Sequence, residues 1–149
     1  MTRMPDQRTD RVRYPSHRAQ VKNARQRTAR VLGEWGLSDD TTAAVVAVVD
    51  ELVVNAVIHA RVPRGREVGV ALRLLDTVVR VEVRDADRTE PNPCKPLDPA
   101  KKPSAQDIQE IPEGGRGLLL VELLSERWGC LPEIIGKTVW AEIPHTSAD

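Results

Sequence analysis

The feature that most constrains the fold is a run of twenty residues, from Thr41 to Ala60, that contains neither glycine nor proline and consists mainly of valine and alanine. Valine favours strands, but strands are usually 3–10 residues long, so a run of this length favours a helix. Ser38 is a good N-cap, and Asp39 and Asp40 would lie in the first turn, where the helix dipole favours negative charge. The segment therefore predicts a helix from Ser38 to about Ala60.

Polar residues interrupt this predicted helix at regular intervals. Glu51, Asn55 and His59 follow one another at steps of four, so they form one line along its surface, with Asp50 beside it. These residues make the segment too polar to span a membrane. Such a line is often only the solvated edge of a core helix. In the sharper interpretation, Asn55 ligates Mg²⁺ and Glu51 polarises an attacking hydroxyl in a nucleotide cavity.

The rest of the chain contains shorter helix and strand patterns. The predicted elements are a strand at Arg11–Tyr14, a helix at Ser16–Trp35, strands at Glu67–Leu75 and Val78–Arg84 joined by a tight turn at Asp76–Thr77, a helix at Arg116–Arg127, and strands at Trp128–Leu131 and Lys137–Ile143. A chain of 149 residues fits one domain. This order predicts an α+β two-layer sandwich, with helices on one face of a mixed, mostly antiparallel sheet. We expect one domain over residues 11–145, with tails at 1–10 and 146–149.

Charge is unevenly distributed although the chain as a whole is neutral. Residues 1–30 contain nine Arg or Lys against Asp6 and Asp10, a net charge of +7. Tyr14 is the only aromatic residue among residues 1–30, and the chain is not basic overall, so we expect no direct nucleic-acid binding. Arg25, Arg27 and Arg30 of the predicted first helix are either solvated or directed at an acidic protein partner.

The termini and the cysteines bear on location. The first residues lack the apolar region of a secretory signal, and Cys94 and Cys130 lack the close spacing of a zinc knuckle. We therefore expect a cytoplasmic protein that does not bind membranes and whose two cysteines are free thiols.

Two further positions are candidates for ligand contacts. Asp85 directly follows an alternating strand, where it either initiates a turn or accepts a hydrogen bond from the amino group of adenine. Gly114-Gly115-Arg116-Gly117 opens a predicted helix; glycines allow close backbone approach, and a helix N-terminus attracts phosphate oxygens. The proline-rich stretch between them, residues 86–115, predicts a long loop of the kind that often covers a site.

Taken in order, these segments resemble the GHKL ATPase superfamily. The resemblance rests on Asp50-Glu51 with Asn55 and His59, on Val83-Arg84-Asp85, and on Gly114 to Gly117 followed by an apolar helix. More narrowly, the chain is similar to the serine-protein kinase anti-sigma factors of the RsbW and SpoIIAB type. The similarity covers roughly residues 11–143.

The resemblance implies roles for the matching residues. Glu51 would be the catalytic base, Asn55 the Mg²⁺ ligand, and Asp85 the residue that recognises adenine. The implied ATP contacts are Asn55, His59, Asp85, Ala86, Gly115, Arg116, Gly117, Leu118 and Thr138, with an ATP lid over residues 87–113. It also implies a sigma factor and a STAS-domain antagonist, phosphorylated on Ser or Thr, as partners, and a homodimer.

One position departs from the pattern of these relatives. Many of them keep a glycine two positions after the adenine-binding aspartate, where this chain has Asp87. The departure leaves open an alternative, a nucleotide-gated module that binds its partner without phosphorylating it. A sensor histidine-kinase fragment is disfavoured, because no dimerisation helix with a phospho-acceptor histidine precedes residue 40.

Overall fold

The computed structural model describes residues 8–58, 67–85, 117–132 and 136–148. They form an α+β structure, as the sequence predicts. The elements are β1 (Thr9–Pro15), α1 (Gln20–Glu34), α2 (Asp39–Ile58), β2 (Glu67–Leu74), β3 (Val78–Asp85), α3 (Gly117–Leu124), β4 (Arg127–Pro132) and β5 (Lys137–Pro144).

The strands form one five-stranded sheet in the order β1-β2-β3-β5-β4. Every pair is antiparallel, so the described sheet has none of the parallel pairing that a mixed sheet would contain. Side chains alternate between its two faces. Val70, Val81 and Ala141 are buried on the face that packs against the helices. Arg80, Glu82 and Glu142 lie on the other face, here called the open face, on which no described helix packs.

Helix α2 lies at the centre of the structure. It packs against α1, α3 and the three inner strands, β2, β3 and β5. Contact on several sides explains why its sequence is apolar almost all round, and Val45, Val48 and Val49 are completely buried. Although α2 has twenty residues, neither it nor any other described helix is apolar enough over a sufficient length to cross a membrane.

Helix α1 begins later than predicted. Residues 16–19 form turns, with hydrogen bonds from the amide of Gln20 to the carbonyl of His17 and from Val21 to Arg18. The helix therefore starts at Gln20, with Ala19 rather than Ser16 at its N-cap, and no side chain caps it. Its other end agrees with the glycine signal, since Gly36 has φ of 75° and bonds back into the last turn.

The start of α2 is bound to the end of the chain. The Ser38 hydroxyl accepts from the amide of Thr41 at 3.2 Å, which confirms Ser38 as the cap. The Ser38 amide donates to the carbonyl of Thr146 at 2.8 Å, and the Thr146 amide donates to the hydroxyl of Thr41 at 3.0 Å. Ala148 also donates to Gly36. Residues 146–148, predicted as part of a tail, are thus hydrogen-bonded to the domain.

Several other boundaries differ from prediction. Strand β1 includes Thr9 and Asp10, which were expected in the tail, and α3 ends at Leu124 instead of Arg127. The helix stops there because Glu126 already donates to the carbonyl of Glu142, which starts the pairing of β4 with β5. The tight turn between β2 and β3 is confirmed by a hydrogen bond from Leu75 to Val78.

The predicted free thiol is wrong for Cys130, which is disulfide-bonded in β4. The only other cysteine, Cys94, lies outside the described residues. Separation along the chain does not reveal distance in the fold, and that distance decides whether two cysteines can bond.

An ion-pair network joins the strands on one half of the open face. The buried carboxylate of Glu142 accepts from Arg80 at 3.1 Å and from Arg127 Nε at 2.9 Å. The Arg80 guanidinium also lies 4.3 Å from the centre of the Trp140 ring, so it is held between a carboxylate and an indole. This network links β3, β5 and β4.

We expect Glu142→Gln to destabilise the fold by about 2 kcal/mol near neutral pH, because it removes the buried anion that Arg127 and Arg80 share and leaves Arg80 only Glu82, at 3.6 Å. Burial alone would raise the pKa of Glu142, but hydrogen bonds from Arg127 and Arg80 outweigh it and lower that pKa. The stabilisation is therefore present above the unfolded pKa of about 4.3 and is lost as pH falls through the lower folded value. Urea unfolding of wild type and variant should show a difference at pH 7 that shrinks below about pH 4. An equal difference at both pH values would contradict the ion-pair assignment.

Candidate functional site

The two ends of α2 lie at opposite ends of the sheet. Its first turn is bonded to Thr146, just beyond Pro144, and Pro144 pairs with Val78 at the start of β3. A helix of this length extends about 30 Å, comparable with the length of β3. The second half of α2 therefore reaches the end of the sheet where Asp85 closes β3.

Contacts with α1 determine which flank of α2 bears the polar line. Asp50 points to α1, where its carboxylate lies 3.5 Å from Arg25 Nε. Successive helix residues are rotated by about 100°, so Glu51 and Asn55 lie on the flank away from α1. Helix α3 also packs against α2. The line predicted from the spacing thus lies beside the core and turned away from α1.

Glu51 and Asn55 are half-buried, and neither makes a hydrogen bond or an ion pair with any residue in the described ranges. Burial raises the pKa of the Glu51 carboxyl, and the neighbouring charge of Asp50 raises it further. Polar side chains that lose water usually gain protein partners. A half-buried carboxylate and amide without described protein partners are suited to contact a ligand.

Asp85 is the last residue of β3 and is only 5% exposed. It follows the alternation of Val81 and Val83, so its side chain lies on the helix-packed face. In the register it lies between Val68 of β2 and Lys137 of β5. A buried carboxylate in this position can accept a hydrogen bond from an amino group such as that of adenine.

The N-terminus of α3 contributes backbone donors at the same end of the sheet. Only Ser125 and Glu126 separate α3 from β4, and the Trp128 indole donates to the buried carboxylate of Glu122. Helix α3 therefore folds back over β4, with Gly117 directed toward the end of the sheet that holds Asp85. The first amides of a helix lack intrahelical partners and can bind phosphate oxygens.

Not all predicted contacts can be located. His59, Ala86, Gly115, Arg116 and the lid at 87–113 lie outside the described residues. Glu51, Asn55, Asp85, Gly117 and Leu118 are described; they lie on α2, β3 and α3, and α2 packs against both of the other elements.

Thr138 is not brought to this group. In the register of β3 and β5 it lies opposite Arg84, whose side chain is on the open face, whereas Asp85 lies opposite Lys137. Thr138 also lines a groove on the open face. Lys137 is a neighbour of Asp85 that the sequence reasoning missed, and only the strand register could have revealed it.

The donor chemistry of the described residues is compatible with Mg²⁺. No group of three or more His, Cys, Asp or Glu side chains in the described ranges could hold a metal ion. Mg²⁺ commonly keeps several waters and binds through one or two protein oxygens together with phosphates. The amide oxygen of Asn55, which has no described partner, can supply such a ligand.

Comparison with known protein families finds a match over most of the chain. The family model described as Histidine kinase-like ATPase domain matches residues 14–141, which include β1 from Tyr14, the three described helices and most of β5. No curated protein matches the chain. Because the match covers most of the chain, this protein belongs to the histidine kinase-like ATPase domain family of the GHKL superfamily and is an ATP-binding regulatory or kinase module.

Proposed function

We propose that the protein is a Mg²⁺-dependent serine/threonine protein kinase that acts as an anti-sigma factor. It would phosphorylate a STAS-domain antagonist and sequester a sigma factor in the cytoplasm, as a homodimer. The observation that supports phosphoryl transfer is the pair Glu51 and Asn55, which are half-buried on one flank of α2 without described partners. The identity of the partners follows from the resemblance to the RsbW and SpoIIAB type.

Each described residue has a distinct role in this proposal. Asp85 accepts a hydrogen bond from the adenine amino group, and the first amides of α3 bind phosphate oxygens. The amide oxygen of Asn55 would hold Mg²⁺, which would offset the negative charge of the phosphates.

Glu51 would act on the hydroxyl of the protein substrate. Burial and the charge of Asp50 raise the pKa of Glu51, which makes its carboxylate a better proton acceptor, so it can orient a Ser or Thr hydroxyl for attack on the γ-phosphate. Phosphoryl transfer depends mainly on positioning and electrostatics, so a correctly placed carboxylate is enough for this step.

The basic residues of α1 fit the solvated interpretation better than a docking surface. Arg27 is bonded to Asp10 at 2.8 and 2.9 Å, Arg25 lies 3.5 Å from Asp50, and Arg30 lies 3.8 Å from Glu34. All three therefore have anions within the chain. An acidic partner would have to displace those anions.

Two measurements test this function. In a thermal-shift titration, ATP with Mg²⁺ should raise the melting temperature more than ATP alone, because ligands that bind the folded state stabilise it. Incubation with γ-labelled ATP, Mg²⁺ and the STAS protein encoded nearest to this gene should then transfer label to that protein. A melting temperature unaffected by ATP would overturn the proposal. A shift without transfer to any STAS protein would favour the alternative, a nucleotide-gated binding module, for which the departure at Asp87 is the motivation.

A further inference from the structure

The open face of the sheet carries a groove away from the candidate ATP site. Alternate residues of β1, β2 and β3 bring Arg11, Arg13, Gly69, Ala71 and Arg84 together. We call these five residues the arginine groove; together with Arg73, Glu82 and Thr138 they line a cavity of about 440 Å³. The side chain of Asp85 lies on the opposite face, so the groove and the candidate ATP site are separated by the sheet.

Some arginines of the open face are paired with glutamates, whereas others have no ion pair with a described residue. Arg73 lies 3.0 Å from Glu82, and Arg80 and Arg127 share Glu142. Arg11, Arg13 and Arg84 are exposed and have no ion pair with any described residue. Strand alternation places six arginines and three glutamates on this face of a chain with no net charge, and the third glutamate, the exposed Glu67 at the start of β2, has no ion pair with a described residue. The excess positive charge is therefore concentrated in the arginine groove.

Small residues keep the groove open between these arginines. Arg13, Gly69 and Arg84 are direct neighbours across three strands, so the two arginines stand about 10 Å apart with no side chain between them. A Cβ atom at Gly69 would meet only the Cβ of Arg84, at 3.8 Å, which is an ordinary contact. The fold therefore tolerates a side chain at position 69. The groove is deep only because Gly69 has none.

The neighbouring edge of the sheet can accept an extended chain. Among the described strands, β1 pairs only with β2. The amide of Leu74 donates to the carbonyl of Arg8, and in an antiparallel pair the bonded residues alternate. The backbone groups of Arg11 and Arg13 therefore point away from β2, while their side chains lie on the groove side. A strand added at this edge could therefore pair with the backbone groups of Arg11 and Arg13 and also contact their side chains.

We propose that the arginine groove and the edge of β1 bind an acidic, extended segment of a partner protein. Its backbone would pair with β1, and its carboxylates would bond to Arg11, Arg13 and Arg84. Charge complementarity selects this occupant. A second copy would bring the same excess of arginine against itself. Nucleic acid would lack a base-stacking surface, because Arg80 already covers Trp140 and no other aromatic residue lies on the described open face.

The probe for this surface is a fluorescein-labelled deca-glutamate peptide, followed by fluorescence anisotropy at about 50 mM and 150 mM salt. The double variant Arg13→Gln/Arg84→Gln should weaken binding by at least about tenfold, because it removes two charged donors. Gly69→Val should weaken binding to a similar extent, because the valine side chain would fill the space between Arg13 and Arg84. The melting temperature of this variant should be close to that of the wild type, which would show that the fold is intact. Arg30→Gln removes one positive charge from α1, on the helix side, and should change binding by less than about twofold.

The outcomes separate the possible occupants. Equal weakening by Arg30→Gln would mean attraction to charge in general and would overturn the proposal. Tighter binding of an oligothymidylate of the same length would assign the groove to nucleic acid instead. A dimer that dissociates in the Arg13→Gln/Arg84→Gln variant, seen by sedimentation, would assign it to a second copy. Peptide binding should also survive Asp85→Asn, so it can fail or succeed independently of the ATP site.

Discussion

Replacing Asp85 with asparagine is expected to weaken ATP binding by about a hundredfold, because a charged acceptor of the adenine amino group becomes a neutral one inside a buried site. The side chain of Asp85 is 5% exposed, so water cannot readily take over its role. Titration calorimetry with a non-hydrolysable ATP analogue measures the change. Asn is close to Asp in size, so the packing between β2 and β5 should be preserved.

The matched control for this variant is Asp76→Asn. Asp76 is an exposed aspartate in the turn between β2 and β3, at the end of the sheet far from Asp85. The Asp76→Asn variant loses the same charge but leaves the proposed adenine position unchanged. Its affinity for the ATP analogue should therefore equal that of the wild type. Equal affinity for all three proteins would show that Asp85 does not recognise adenine and that the candidate site is misplaced.

Glu51→Gln is expected to lower phosphoryl transfer to the STAS protein by a factor of about a hundred to a thousand, while ATP affinity changes little. The carboxylate would act only when a hydroxyl attacks, whereas nucleotide binding depends on other residues. Single-turnover transfer with labelled ATP measures the loss. Asp50→Asn is the matched control, since Asp50 is the adjacent carboxylate but points to Arg25 on the other flank of α2. Equal loss in both variants would contradict a specific role for Glu51.

The same Glu51→Gln variant should be more stable than the wild type at pH 7. Burial and the charge of Asp50 raise the pKa of Glu51, so folding disfavours its ionised form. This penalty is absent below the unfolded pKa of about 4.3 and develops as pH rises through the raised folded value. The variant's gain in melting temperature should therefore be present at neutral pH and vanish below about pH 4. A gain that is the same at both pH values would show that it has another origin.

Local patterns in the sequence were enough to predict the type and order of every described helix and strand. The length of the segment that begins at Thr41 excludes a strand, and the alternation in Val79, Val81 and Val83 is specific to a half-buried one. Boundaries were less predictable, because they depend on partners far along the chain. Leu124 ends α3 because Glu126 pairs with Glu142, and no local signal records that contact.

In the candidate site, too, local patterns predict some features, and others depend on contacts between distant parts of the chain. The spacing of Glu51 and Asn55 placed them on one line, but the contact between Asp50 and Arg25 was needed to show which flank of α2 that line occupies. Thr138 and Lys137 are adjacent in sequence, so a shift of one residue in strand register decides which lies beside Asp85. A sequence pattern alone does not contain that register.

The hydrogen bonds that join Thr146 to Ser38 and Thr41 also restrict how this protein can be modified. They anchor α2 at one end and so control how far along the sheet its opposite end extends. Cutting the chain after Ile143 would release that anchor and let the helix slide or fray, which would displace Glu51 and Asn55 without altering either residue. Affinity tags and fluorescent fusions are therefore better attached ahead of Arg8 than close behind Ala148.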